Sequence, residues 1–114
     1  MPKPDASALL PLKPNWLHIL LTLADQPHHG YAIMQEVAQR TEGKIRLWPA
    51  TLYGTIRKLE DEGLVEAVAV DVPDDDERRQ YYSLTRFGRR VLGAEVRRLE
   101  ELVQLAHSKG AVRA

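Results

Sequence analysis

Cysteine is absent from the chain, which excludes disulfide staples, thiolate nucleophiles and cysteine-ligated zinc. Stability therefore has to come from an apolar core and from contacts with any partner chain. A net charge is lacking too. The 16 lysines and arginines equal the 16 aspartates and glutamates, so no uniformly basic coat exists to hold nucleic acid indiscriminately. The longest apolar run, Trp16 to Ala24, is broken by His18 and Thr22. It falls well short of the roughly 20 residues that span a bilayer, and no membrane partner is expected. The opening residues, Met1-Pro2-Lys3-Pro4-Asp5, lack the charged, apolar and small-residue order of a secretory signal, so a cytoplasmic protein is expected. No glycine-rich phosphate loop, Ser/His/Asp arrangement or paired carboxylates supply a nucleophile or a positioned base. Neither an enzyme nor a cofactor is expected.

The charge that is present is unevenly spread. Arg78 to Arg98 holds seven arginines and a single acid, Glu95, whereas Asp71 to Glu77 holds five acids and no base. At 114 residues the chain is the size of one domain. Within it, hydrophobic periodicity predicts four helices. The first, about Asn15 to Asp25, is apolar around most of its circumference and reads as a central core helix. Pro27 stops it, and His28-His29-Gly30 forms a turn. A second helix follows, with Ile33, Met34, Val37, Ala38 and Thr41 at helical spacing, ending near Gly43.

Pro49 suits the first turn of a third helix, where its missing N–H has no intrahelical partner. On this helix Leu52, Ile56, Leu59 and Gly63 share one side. Ala50, Thr51, Gly54, Arg57, Lys58 and Asp61 occupy the other, with Tyr53 on a flank. The valine-rich stretch Leu64 to Asp71 and the segment Arg79 to Leu84 read as strands of a hairpin joined by a proline-containing acidic turn. Thr85 is a fitting N-cap for a long helix to about Ser108. On that helix Leu92, Val96, Leu99, Val103 and Ala106 recur at alternating spacings of four and three, the stripe of a helix that packs on another helix.

Helix, helix, helix, hairpin, helix is the order of a winged helix-turn-helix: mostly α with a small β-hairpin, plus an added C-terminal dimerisation helix. The expected organisation is a flexible tail over residues 1–14, the DNA-binding domain over 15–84, the dimerisation helix over 85–108 and a frayed tail over 109–114. A major groove about 12 Å wide admits a helix whose outer face is uncluttered, which Ala50, Thr51 and Gly54 provide. Arg57 and Lys58 are placed to reach phosphates, and Thr51 and Thr55 to donate to phosphates or base edges. Thr51, Tyr53 and Lys58 are expected to matter most. Tyr31 is a further contact candidate, with a hydroxyl that can reach a phosphate. The acidic wing tip, Asp74, Asp75, Asp76 and Glu77, is a poor phosphate partner. Arg78 and Arg79 at the base of the second wing strand are better ones.

Three ordered blocks carry a family resemblance. They are His29-Gly30-Tyr31-Ala32-Ile33; Trp48-Pro49-Ala50-Thr51-Leu52-Tyr53 continuing through Leu59 to Val65; and Arg79-Gln80-Tyr81-Tyr82-Ser83-Leu84-Thr85-Arg86-Phe87-Gly88. Together, over roughly Asn15 to Leu105, they resemble the PadR-like transcriptional regulators. The resemblance implies a winged-helix domain, a homodimer through the C-terminal helix, a double-stranded DNA operator, and repression relieved by a small molecule or by loss of a stabilising contact. Gly54 departs from the family, which more often carries proline there. An interior helix glycine costs about 1 kcal/mol relative to alanine.

Dimerisation is assigned to Trp16, Leu92, Val96, Leu99, Val103 and Ala106. Two symmetric recognition helices would then read half-sites about 34 Å apart. A small aromatic effector is expected to stack on Trp16 at an interface made by the first and last helices. His28-His29 lacks a third ligand at suitable spacing and reads as a capping or surface pair, with no metal expected. The competing reading is a winged helix used for protein–protein contact, motivated by the zero net charge and the acidic wing.

Overall fold

The computed structural model describes residues 5–71 and 79–112. Its elements are a short 3-10 turn, Ala6–Leu9, then α1 (Pro14–Thr22), β1 (His28–His29), α2 (Gly30–Arg40), α3 (Pro49–Asp61), β2 (Val65–Val68), β3 (Tyr81–Leu84) and α4 (Arg86–Ser108). The four helices and the hairpin fall where the sequence pattern places them. The strands are shorter than expected, because only four residues on each side pair, from Val65 with Leu84 to Val68 with Tyr81. One strand was not expected at all. His28 and His29 pair with Tyr82 and Tyr81, so the sheet has three antiparallel strands in the order β1-β3-β2. A two-residue strand has no alternation to betray it, and the same residues read equally well as a turn.

The helical stripes converge on one core. Ile19, Leu20 and Leu23 from the α1 region, Ile33 and Val37 from α2, and Leu52, Ile56 and Leu59 from α3 are all buried. Val65, Tyr82 and Leu84 close the sheet side, and Val91 and Leu92 bring in the start of α4. Burying each such side chain contributes roughly 1.5–3 kcal/mol. A polar staple adds direction to the α1–α2 contact. Arg40 donates to the Thr22 hydroxyl (3.0 Å), the His18 carbonyl (3.2 Å) and the Glu36 carboxylate (2.7 Å).

The end of α3 and the start of α4 are locked together. Gly63, at φ 76°, closes α3 with a reverse turn in which its N–H reaches the Glu60 carbonyl and that of Leu64 reaches Leu59 (both 2.9 Å), the glycine-favoured helix ending. The Thr85 hydroxyl donates to the Gly63 carbonyl (2.5 Å) and accepts the Gly88 N–H (2.9 Å), capping α4. The Thr85 N–H donates to the Leu64 carbonyl (3.1 Å). Gly88 lies so close to that same carbonyl oxygen that a Cβ there would overlap it.

Residues 5–13 are not the loose tail that the prolines suggested. The Asp5 carboxylate accepts from the N–H and hydroxyl of Ser7 (2.9 and 2.7 Å), Leu12 is buried, and Ala6, Leu9 and Leu10 pack against the core. The decisive tie is Glu95, only 1% exposed, whose Oε2 accepts the Leu12 N–H at 2.7 Å and whose Oε1 accepts from Arg98. That hydrogen bond from Arg98 holds the Glu95 carboxyl below its ordinary value against the opposing effect of burial, and the Leu12 N–H adds to it. At the other end of the chain, Gly110 (φ 74°) terminates α4. Its N–H reaches His107 (3.1 Å), and that of Ala111 reaches Ala106 (2.9 Å), so residues 109–112 form a closed helix end instead of a frayed one.

Candidate nucleic-acid interface

Pro49 begins α3 and Trp48 precedes it without a side-chain cap. With Leu52, Ile56 and Leu59 turned into the core, the helix presents Ala50, Thr51, Gly54, Arg57 and Lys58 to solvent. Nothing lies within 4 Å of where a Gly54 Cβ would be, so the middle of this face is open. Thr55 is half-buried and its hydroxyl donates back to the Thr51 carbonyl (2.8 Å). It is partly committed to its own helix.

Tyr53 leaves the face sideways. Its ring and hydroxyl lie over Gly30, where any Cβ would collide with them, yet the residue remains 48% exposed. Gly30 is therefore needed for close approach between α2 and α3. Tyr31, in the first turn of α2, is 57% exposed and stands beside the start of α3. His29 serves the same region. Its Nδ1 accepts the Ala32 N–H at 3.2 Å, capping α2, its Nε2 lies 3.2 Å from Nη1 of Arg79, and its ring meets Tyr81 edge-on at 5.3 Å. Among the described residues no three histidines, cysteines or acids gather as a metal would require. Arg79 is thus placed beside the sheet. Arg78 and the acidic wing tip lie outside the described residues.

Trp16 lies near the start of α1. It walls a cleft of about 470 Å³ whose other side is α3, through Thr51, Thr55 and Lys58, with Lys13 at the rim. The Lys13 ammonium lies 5.6 Å from the centre of the Trp16 ring. No α4 residue lines this cleft, because α1 turns its N-terminal end toward α3. The stripe on α4 divides in two. Leu92 is buried inside its own chain, whereas Val96 and Val103 are exposed, with Leu102 and Leu105 beside them. Leu99 and Ala106 are partly covered.

The sequence reading placed Trp48 in a family block without giving it a contact role, and did not single out Arg46. Trp48 is 67% exposed, and with Tyr31, Met34, Leu47, Pro49 and Arg46 it lines a shallow groove of about 360 Å³ beside α3. The available signal was a tryptophan directly before a helix-starting proline, a position that no core stripe explains. Among the described residues no helix is long and apolar enough to cross a membrane.

Comparison with known proteins supplies the family and the fold. Residues 19–94 match the family described as the transcriptional regulator PadR-like family. A protein of Mycobacterium tuberculosis named as a transcriptional regulator is 38% identical over 88 residues, covering 77% of this chain and 78% of the relative. Among solved structures, a PadR-like transcription factor from Bacteroides fragilis superimposes with a TM-score of 0.66 at 24% identity, over 82% of this chain and 87% of the other. A transcriptional regulator from Clostridium thermocellum does so with a TM-score of 0.66 at 22% identity, over 82% and 86%.

Proposed function

The chain belongs to the PadR-like family of transcriptional regulators, and from that premise we propose that it is a sequence-specific repressor that binds a DNA operator as a homodimer. The observation that carries this reading is the outer face of α3. Ala50 and Gly54 leave it low, Arg57 and Lys58 give it positive charge, and three buried side chains fix it to the core. Such a face fits the major groove without obstruction. Thr51 donates to base edges or phosphates, while Arg57 and Lys58 neutralise phosphates. Tyr53 braces α3 against Gly30 of α2 and meets the duplex at the groove edge. Tyr31 and the wing arginines Arg78 and Arg79 contact the backbone on either flank.

Homodimer formation uses the open half of the α4 stripe, Val96, Leu99, Val103 and Ala106. Leu92 supports it from inside the chain, and Trp16 contributes to its own chain's cleft. An effector enters this scheme most directly at that cleft. A flat aromatic molecule stacked on Trp16 would sit against Thr51 and Lys58 and compete with DNA for them.

The test is an anisotropy titration against the DNA upstream of the chain's own coding region at two salt concentrations, beside a Thr51→Ala/Lys58→Ala variant. Tight binding that weakens log-linearly with salt and is lost in the variant supports the reading. Binding no stronger than to random DNA overturns it and favours a winged helix that contacts protein.

A further inference from the structure

The α3 face accounts for the groove but not for the largest exposed aromatic surface in the described chain. Trp48 is 67% exposed and Tyr31 57%. They stand at corresponding places, Trp48 directly before α3 and Tyr31 in the first turn of α2, and together they wall the groove beside the recognition helix. Large rings held in water at this level are uncommon unless a partner covers them. The rest of the lining narrows the choice of partner. Met34, Ala38, Leu47 and Pro49 are apolar, Arg46 brings one guanidinium and Gln35 one neutral amide, and no carboxylate lines the groove.

We propose that this aromatic ledge seats the sugar–phosphate backbone of one DNA strand, the deoxyribose faces packing on Trp48 and Tyr31 and a phosphate pairing with Arg46. The assignment rests on the DNA-binding reading of α3 and extends it to residues outside that helix. Helix N-termini and the residues around them are common contacts to the DNA backbone. Trp48 and Tyr31 stand at two such N-termini. A backbone strand matches the lining chemically, since it alternates apolar sugar with anionic phosphate, and apolar walls carrying one arginine and one glutamine amide answer both. The contact reads no sequence, so it operates on any duplex.

That independence of sequence supplies the experiment. In the full chain carrying Trp16→Phe, Trp48 is the sole tryptophan, because the sequence has only two. Its emission is followed during titration with a duplex of about 30 base pairs of arbitrary sequence at low salt, long enough for two half-sites. DNA should quench Trp48 and shield it from acrylamide. In the otherwise unchanged chain, Trp48→Ala should weaken binding roughly 5- to 20-fold at an unaltered salt slope, and Trp48→Phe should retain most of the affinity. Arg46→Ala should lower the salt slope by about one. Thermal melts of each variant separate lost contact from lost fold. If the duplex binds while Trp48 stays equally bright and accessible, or if folded Trp48→Ala binds like the wild type, the ledge is wrong and the regulator reading stands. If neither this duplex nor operator DNA binds, both are wrong.

Discussion

Replacing Gly88 with alanine would drive a methyl group into the Leu64 carbonyl oxygen, an atom fixed by its hydrogen bond from the Thr85 N–H. Neither side can rotate away, so α4 must shift. The expected loss is roughly 1–3 kcal/mol, read as a lower urea midpoint with an unchanged slope. Gly54 is the opposite case. Its surroundings are empty, so Gly54→Ala should raise stability by about 0.5–1 kcal/mol while weakening operator binding, because the added methyl stands on the groove-facing side. A variant that gained stability and kept full affinity would show that the complex leaves room for a methyl at this point of the face. Glu95 tests the buried tie. Glu95→Ala leaves the Leu12 N–H without its acceptor and should cost about 1–3 kcal/mol. Glu95→Gln, which keeps an amide oxygen for Leu12, should cost less. Hydrogen exchange of the Leu12 amide would reveal the difference directly.

Among the elements, α4 carries the prediction about assembly. Val103 is 55% exposed in the single chain, so Val103→Glu should leave the monomer fold intact while opposing association. Sedimentation should show the wild type as a dimer and the variant as a monomer with similar helical content. The wild-type melting temperature should rise with protein concentration and that of the variant should not. A monomeric wild type would remove the homodimer from the reading. The elements also show how far the sequence could be read. All four helices were legible because each carries apolar side chains at helical spacing that turn into the core, buried outright as Ile33 and Val37 are on α2 or packed against it as Met34 is. β1 was not, because two residues cannot display a period and its pairing with β3 is decided by chain geometry. The N-terminal segment was misjudged for a related reason. What anchors it is a hydrogen bond to a residue 83 positions away, and Glu95 in a list of residues is merely one acid among arginines. On the recognition helix the exposed face was legible from its wheel. The position of Trp16 against that helix was not, since no local pattern records which neighbour α1 turns toward.

At the scale of the whole molecule, His18 and Glu95 both contribute to the response to acid, beside Asp5, whose carboxyl the Ser7 hydrogen bonds hold below its ordinary value. His18 is held below its ordinary value chiefly by burial and secondarily by the Arg40 charge, so the folded chain resists taking a proton that the unfolded chain accepts. Its contribution is present above the ordinary histidine value of 6.5 and is lost as pH falls below it. Glu95, also lowered, contributes above the ordinary 4.5 and loses that contribution as pH falls further. Melting temperature should therefore decline in two stages, the first reduced in His18→Gln and the second in Glu95→Gln. A single transition indifferent to both substitutions would refute the assignment. The joint at Gly63, Leu64, Thr85 and Gly88 has a different sort of consequence. In the proposed homodimer it makes each chain one leg of a pair of calipers, with α4 as the handle and α3 as the point. A helix of 23 residues is about 34 Å long, so turning the two handles by about 5° moves the points by roughly 3 Å. The spacing of the operator half-sites is thus gauged by how the two α4 helices cross, and a sequence change in that crossing can retune which DNA is measured without touching a residue that meets it.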